Sequence, residues 1–233
     1  WFNTQGVIDR IRMSVAAGIP NVHVALPLFM PLADPDVDRF FDDIATQVPE
    51  ARWIHYAHPR SQPTLTGTDY ARLAQRFGDQ LIGTKIAGAF DVFQLTEILA
   101  NAPMLAHQVG DPTLAVGMML GACGNCSYWT NTLPGWSRRY MDACLAQDWS
   151  AASAYHKKLI QWQCEHVTPL LNAGYRHGIV GRALGELSGF LVAGSDTRAP
   201  YQPVSVKLQT QLQSAFDSFW ADELRQEVFR TTE

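Results

Sequence analysis

The chain of 233 residues is long enough for one large domain or for one domain with an appendage, and its hydrophobic content of 47% can supply a substantial core. The formal net charge of -4 offers no basic surface, so nucleic acid is not an expected partner. No apolar run is long enough to span a bilayer, and no membrane partner is expected either. Four cysteines indicate no disulfide framework and favour a reducing, cytoplasmic compartment.

The first part of the chain alternates between helical and strand-like patterns. Helices are predicted over residues 4–17, 34–48, 67–77, 91–100 and 113–120. Short apolar runs, most of them bounded by Gly or Pro, predict strands over residues 21–26, 52–57, 81–88, 103–108 and 121–128. Strand, loop and helix thus repeat in units of about thirty residues, which predicts right-handed βαβ connections and a parallel sheet.

After residue 143 the strands stop. Three helices are predicted there, over residues 148–172, 178–193 and 204–223. We therefore expect two domains, a β/α domain over residues 1–143 and a helical region over residues 144–233.

Lys85 lies in an apolar strand, LIGTKIAG, over residues 81–88. Burial of an ammonium group is costly unless the group is paired or gives up its proton. A neutral lysine amine can attack a carbonyl group and form a Schiff base. The alternative is a lysine at the end of a strand whose amine reaches water. The other lysines of the chain, Lys157, Lys158 and Lys207, fall in polar helical segments.

Several polar side chains follow the predicted strands at their carboxyl ends, where the chemistry of parallel sheets is located. These residues are Tyr56, Lys85, His107 and Ser127. If the strands form part of a barrel, the four side chains converge on one mouth. The phenol of Tyr56 is then the candidate for transferring protons next to the lysine. Alternatively, Tyr56 has a structural role, as a buried tyrosine whose hydroxyl is hydrogen-bonded.

Five motifs occur in a fixed order along the chain. They are IHYAHP at 54–59, GTKIAG at 83–88, Gly-Asp at 110–111, the small-residue strand at 121–127 and GSDTRAPY at 194–201. Together they resemble the class I pyruvate aldolases related to dihydrodipicolinate synthase and N-acetylneuraminate lyase. The resemblance implies a (β/α)8 TIM barrel with a C-terminal helical extension, often a homotetramer. It also implies that Lys85 forms the covalent imine with pyruvate or another 2-keto acid, with no cofactor and no metal.

The same resemblance implies that this chain carries only strands 4 to 8 of the barrel. Three strands of the family would precede Trp1, together with the loop that binds the pyruvate carboxylate. A parallel barrel avoids open edges by closing on itself, so we expect an N-terminal portion upstream of this sequence.

Within the family, the run Tyr56-Ala57-His58-Pro59, the aromatic Phe29 and His107 look most like the trans-o-hydroxybenzylidenepyruvate hydratase-aldolases. This likeness implies an aromatic or hydrophobic aldehyde partner, with Phe29 packing against it. His58, which stands where that subgroup has asparagine, and His107 could orient water or bind a substrate hydroxyl. Ser127 could contact the substrate carboxylate. Each of these four residues could instead have a purely structural role.

Two alternatives stay open. One is dihydrodipicolinate synthesis, or sugar-acid cleavage or dehydration, on the same scaffold. Against the first of these, Arg60 stands one place before the position at which that enzyme has an arginine, and Ser61 occupies the position itself. The other alternative is a non-catalytic protein that binds a keto acid.

The Cys123-Gly124-Asn125-Cys126 run spells C-x-x-C. It has no second pair with which to bind zinc, and it lies within a predicted strand rather than at the start of a helix. We therefore predict neither a metal site nor a redox site there.

Overall fold

The computed structural model describes residues 3–86, 91–192, 194 and 196–227. They form two compact units, which divide between Cys126 and Ser127. The boundary between domains predicted at residue 143 stays a prediction, because a compact unit need not be a domain that folds alone.

The first unit contains a parallel sheet in which the strands lie side by side in chain order, β1-β2-β3-β4-β5. The described strands are β1 (Asn21–Val24), β2 (Arg52–Tyr56), β3 (Leu81–Ile86), β4 (Ala106–Gly110) and β5 (Gly124–Cys126). Each pair of neighbours is parallel, which confirms the predicted α/β class with βαβ connections. The predicted strand at 103–108 lies a few residues further on, and the one at 121–128 is shorter.

A helix precedes β1, and one helix follows each of the strands β1 to β4. They are α1 (Thr4–Ala16), α2 (Asp34–Gln47), α3 (Gly67–Phe77), α4 (Val92–Asn101) and α5 (Leu114–Met119). Side chains that accept orphan backbone N–H groups fix several of the starts. Thr66 accepts the N–H of Asp69, whose carboxylate accepts that of Thr66 in return, and Asp91 accepts the N–H of Gln94. The helices that follow β2 and β3 therefore have well-defined starts.

Alternate residues of β2 are buried under α2. Phe41 of α2 stacks on Trp53, with ring centroids 6.3 Å apart, and meets the edge of His55 at 5.6 Å. Because side chains alternate between the two faces of a strand, Ile54 and Tyr56 point to the opposite face. The sheet thus has a buried face covered by helices and a second face that carries Tyr56.

The second unit is helical in the residues that the structure describes. Its helices are α6 (Pro134–Leu145), α7 (Trp149–Trp162), α8 (Thr168–Asn172), α9 (His177–Leu187), α10 (Val206–Phe219) and α11 (Ala221–Leu224). A π-helical turn over Gln163–Val167 joins α7 to α8. The predicted helix at 178–193 stops early, where Gly189 adopts a positive φ of 79°.

Four tryptophans form the core of this helical unit, with neighbouring ring centroids 5.1–6.4 Å apart. They are Trp129, Trp136, Trp162 and Trp220, each at most 2% exposed. Such burial gives these rings a packing role in the helical unit. In the described part of the chain, no helix has both the length and the apolarity needed to cross a bilayer.

Glu227 ties the end of the described chain to the start of α6. Its buried carboxylate accepts the N–H of Gly135 at 2.8 Å and that of Trp136 at 2.7 Å, and Arg139 lies 3.8 Å away. A carboxylate at a helix N-terminus satisfies orphan donors and opposes the positive end of the helix dipole.

We predict that Glu227→Gln lowers the free energy of unfolding by about 1–3 kcal/mol, because the variant places an amide against buried N–H donors and removes the charge. Urea denaturation followed by tryptophan fluorescence measures this change. Glu165→Gln, which removes the same charge at an exposed position, is the control and should shift the midpoint only slightly. Equal midpoints for Glu227→Gln and the native chain would contradict the role assigned to Glu227.

Candidate active site

The register of the sheet sorts the predicted site residues onto its two faces. Tyr56 pairs with Lys85, and Lys85 pairs with Gln108, across β2, β3 and β4. Paired residues of neighbouring parallel strands point to the same face, so these three side chains form one row. The residues just before them in each strand form a second row on the opposite, buried face.

Lys85 and Tyr56 lie against each other in this row. The Nζ atom of Lys85 is 4.3 Å from the centroid of the Tyr56 ring, and both side chains are half-buried. The backbone continues the pairing, because the N–H of Ala57 donates to the carbonyl of Lys85 at 3.0 Å. Among the described residues, no carboxylate forms an ion pair with the amine of Lys85. The structure therefore brings the predicted nucleophile and the predicted proton carrier together.

Two histidines lie near the pair. His58 packs edge-on against the Tyr56 ring, with centroids 5.0 Å apart, and its Nδ1 accepts the backbone N–H of Arg60 at 3.0 Å. Burial, then the charges of Arg60 and Lys85, lower the pKa of His58. Burial and the charge of Lys85 likewise lower the pKa of His23. Both imidazoles are therefore neutral at neutral pH.

The phenol of Tyr56 is held in its protonated form. Burial is the largest cause that raises its pKa; Cys126 raises it further, and Arg60 acts in the opposite direction. A phenol with a raised pKa keeps its proton at neutral pH and can donate it to a developing negative charge.

Two neighbours of Lys85 were not predicted from the sequence as site residues. Gln108 stands beside Lys85 in the row, and Cys126 donates its thiol hydrogen to Oε1 of Gln108 at 3.0 Å. Cys126 lies within electrostatic range of both Lys85 and Tyr56. The period-two alternation of β4 separates Gln108 from His107 onto opposite faces, but only the register with β3 shows which of the two shares a face with Lys85.

His107 lies on the buried face. It is 1% exposed, its Nε2 donates to the carbonyl of Ala102 at 2.7 Å, and its Nδ1 accepts the hydroxyl of Thr84 at 2.7 Å. Burial lowers the pKa of His107 despite the bond to Ala102. The structure does not bring this histidine to the face that carries Lys85, and its contacts are those of a brace between β3, β4 and the end of α4.

The remaining two predicted residues lie in different surroundings. Phe29 is 75% exposed in the loop after β1. Ser127 is the first residue of the second unit, and its hydroxyl accepts the N–H of Thr130 at 3.2 Å. The substrate contacts expected of both residues stay predictions.

A cavity of about 210 Å³ is formed largely by the loop that follows β2. It is lined by His55, Ala57, His58, Pro59, Ser61, Pro63, Thr64, Leu65 and Gln94. Because Lys85 does not line this cavity, the cavity is not the candidate site. The candidate site lies on the face of the sheet that carries Lys85.

In the described ranges, no group of three or more His, Cys, Asp or Glu side chains is arranged to hold a metal ion. All four cysteines are free thiols.

A parallel sheet in chain order with intervening helices is the type of scaffold from which β/α-barrel enzymes are built. The sequence model of the dihydrodipicolinate synthetase family matches residues 2–218, and the chain belongs to this family. Members of the family are class I, pyruvate-dependent lyases and aldolases. No curated protein matches the sequence.

Solved structures of the same family share the fold at low sequence identity. YagE, a prophage protein of E. coli K12 in complex with pyruvate, has a TM-score of 0.79 and 21% identity over 93% of this chain and 72% of its own. Dihydrodipicolinate synthase from Agrobacterium tumefaciens has a TM-score of 0.76 and 21% identity over 94% and 72%. PhdJ bound to a substrate intermediate has a TM-score of 0.78 and 20% identity over 98% and 72%.

The buried pair of His55 and Tyr70 makes stability depend on pH. The hydroxyl of Tyr70 lies 2.8 Å from Nδ1 of His55, and burial lowers the pKa of His55 from its ordinary value of 6.5 to about 3. Between these two values the unfolded chain binds a proton that the folded chain does not. The free energy of unfolding therefore falls as the pH drops below 6.5.

We predict that His55 contributes a fall in the free energy of unfolding of up to about 1.4 kcal/mol for each pH unit between pH 6 and pH 4. In His55→Gln this part of the slope disappears, although the variant is less stable at pH 7. Urea denaturation at several pH values measures both effects, and His177→Gln, at an exposed position, is the control. If His55→Gln keeps the native dependence of the free energy of unfolding on pH, His55 is not held neutral in the folded protein.

Proposed function

We propose that the protein is a Schiff-base-forming lyase that makes or breaks a carbon–carbon bond to pyruvate or another 2-keto acid. The observation that carries this proposal is the position of Lys85 Nζ, 4.3 Å from the ring centroid of Tyr56, at the carboxyl ends of parallel strands. Membership of a family of pyruvate-dependent lyases supports it.

In the proposed cleavage, neutral Lys85 attacks C2 of the keto acid, and water leaves as the iminium forms. The bond between C3 and C4 then breaks, and its electron pair moves into the iminium to give an enamine, while the aldehyde departs. The hydroxyl of Tyr56, protonated at neutral pH, gives its proton to the oxygen that leaves C2 as water. The phenolate so formed then accepts the proton of the C4 hydroxyl as that oxygen becomes the carbonyl oxygen of the aldehyde. Arg60, which lies within electrostatic range of Tyr56, attracts the carboxylate of the keto acid.

We further propose an aromatic or hydrophobic aldehyde partner, as in the hydratase-aldolases that the sequence resembles. The rings of Tyr56 and His58 provide an aromatic wall next to the amine, and Phe29 is exposed after β1. His58, within electrostatic range of Lys85, is the candidate for orienting water during hydration.

The surroundings of Ser61 count against dihydrodipicolinate synthesis. Ser61 occupies the position at which that enzyme has a substrate-binding arginine, is 4% exposed and donates its hydroxyl to the carbonyl of Leu26 at 3.1 Å. A buried serine whose hydroxyl donates to a backbone carbonyl cannot bind a second carboxylate of the substrate. Arg60 is exposed next to it and is tied through its N–H to His58.

The finer architecture is part of the same proposal. We propose that β1 to β5 correspond to strands 4 to 8 of a TIM barrel, that Ser127 and Phe29 face the substrate, and that the protein is a cytoplasmic homotetramer. Among the described strands, β1 and β5 each have a neighbour on one side only.

Reduction of the imine tests the Schiff base directly. We predict that borohydride added in the presence of pyruvate leaves a covalent adduct on the full chain, seen as a mass increase by intact-protein mass spectrometry and located on Lys85 by peptide mapping. Lys85→Ala should form no adduct, because it lacks the nucleophile. Lys207→Ala, which removes an exposed lysine, should form the same adduct as the native chain. An adduct that persists in Lys85→Ala would refute the assignment.

Tyr56→Phe separates imine formation from proton transfer. The variant keeps the ring against the amine but loses the hydroxyl, so we predict that kcat for aldehyde release falls by about 10²–10⁴ while an adduct with pyruvate still forms. Aldehyde release from a benzylidenepyruvate, followed by absorbance, measures kcat. Tyr175→Phe is the matched control and should turn over at the native rate. A Tyr56→Phe variant with native kcat would remove Tyr56 from the mechanism.

A further inference from the structure

Lys85 has a polar neighbour on each side within the sheet. Tyr56 flanks it on β2, and Gln108 flanks it on β4 at the same level. Gln108 is half-buried and has no part in the mechanism given so far. On its far side stands Gly124, where an added Cβ atom would come 3.9 Å from Cγ of Gln108. The side chain of Gln108 therefore extends over a glycine toward the carboxyl end of β5.

Cys126 fixes which way the amide of Gln108 points. Its thiol donates to Oε1 at 3.0 Å, so the carbonyl oxygen of the amide is occupied and the NH2 group is turned away from Cys126. Among the described residues, Nε2 of Gln108 makes no hydrogen bond. Burial raises the pKa of the Cys126 thiol, which keeps the hydrogen that the bond requires. The amide is thus held on the face of the sheet that carries Lys85, and its NH2 group makes no hydrogen bond to the described residues.

We propose that Gln108 donates an amide N–H to the oxygen on C2 of the keto acid while Lys85 attacks that carbon, and that Cys126 positions the amide. The inference rests on the proposed lyase function and deepens it. Gln108 is then a catalytic residue of imine formation, and Cys126 is a positioning residue that acts through it.

The electron balance shows why a donor is needed at this oxygen. The lone pair of Nζ forms the bond to C2, the π bond of the carbonyl breaks, and its electron pair moves to the oxygen. One proton passes to that oxygen from the nitrogen and a second from the hydroxyl of Tyr56, and the oxygen leaves as water when the remaining lone pair of the nitrogen forms the C=N bond of the iminium. The oxygen is bonded to the same carbon as Nζ, so it stays next to Lys85 whichever way the rest of the substrate lies. Gln108, one strand away on the same face, is therefore within reach of it.

Donors aimed at an oxygen where charge develops act on the rate of the step, and loss of one such donor costs about 10²–10³ in enzymes that form a full oxyanion. The carbinolamine oxygen receives a proton as it forms, so we expect a smaller effect here, about 10–100-fold. The effect should fall on imine formation and spare the later steps.

Rapid-quench borohydride trapping with pyruvate, on the full chain, measures the rate of imine formation. We expect Gln108→Leu to slow it by about 10–100-fold, while Gln75→Leu, at an exposed position of α3, keeps the native rate. Cys126→Ala should slow imine formation several-fold, and Cys126→Ser should restore most of the rate because a hydroxyl can donate to the same oxygen. A role in packing alone would not distinguish serine from alanine in this way.

Gln108→Glu keeps the shape of the side chain and covers the case in which the leucine variant does not fold. It replaces the donor with a carboxylate beside Lys85, so imine formation should slow and its pH profile should move to higher pH. If native protein forms the adduct and neither Gln108 variant changes the rate, the inference is wrong and the lyase proposal stands. If native protein forms no adduct at all, the lyase proposal fails, and the inference fails with it.

Discussion

The hydrogen bonds on the buried face of the sheet determine what happens on its other face. Thr84 and His107 are bonded to each other across β3 and β4, and His107 is also bonded to the end of α4. The next residues along these two strands are Lys85 and Gln108. Because successive side chains alternate between faces, a bond that fixes the register of the first pair also fixes the second. The amine is therefore placed by contacts that never touch it.

The same arrangement recurs one strand away. His55 on the buried face of β2 is bonded to Tyr70 of α3, and the following residue, Tyr56, faces Lys85. Burial keeps His55 and His107 neutral, so these two histidines can hold a strand in place at neutral pH without carrying charge into the core. In each of these strands, one residue thus stabilises the fold and the next residue lies in the candidate site.

The alternation of side chains between the two faces of the sheet also explains how much of the candidate site could be predicted from the sequence. The strand around Lys85 and the tyrosine before it could be predicted, because their apolar patterns and the spacing of the motifs are local properties of the sequence. The site on β4 could not. The sequence predicts a strand ending at Gln108, whereas β4 runs from Ala106 to Gly110, and the acid–base chemistry of histidine favours His107 over its neighbour as a site residue. Which of two adjacent residues faces the site depends on the register with β3, and register is a tertiary property.

Cys126 shows a second limit of the same kind. Within the C-x-x-C run it suggested only metal or redox chemistry, both of which need a partner cysteine close by. In the structure each cysteine has its own acceptor instead, since Cys123 donates to the carbonyl of His107 at 3.3 Å and Cys126 donates to Gln108 at 3.0 Å. Both bonds run from the β5 segment to β4, so the two thiols help hold the edge strand on the sheet. One of them does so at the level of Lys85, and for that reason a residue that stabilises the edge can also orient a group in the candidate site.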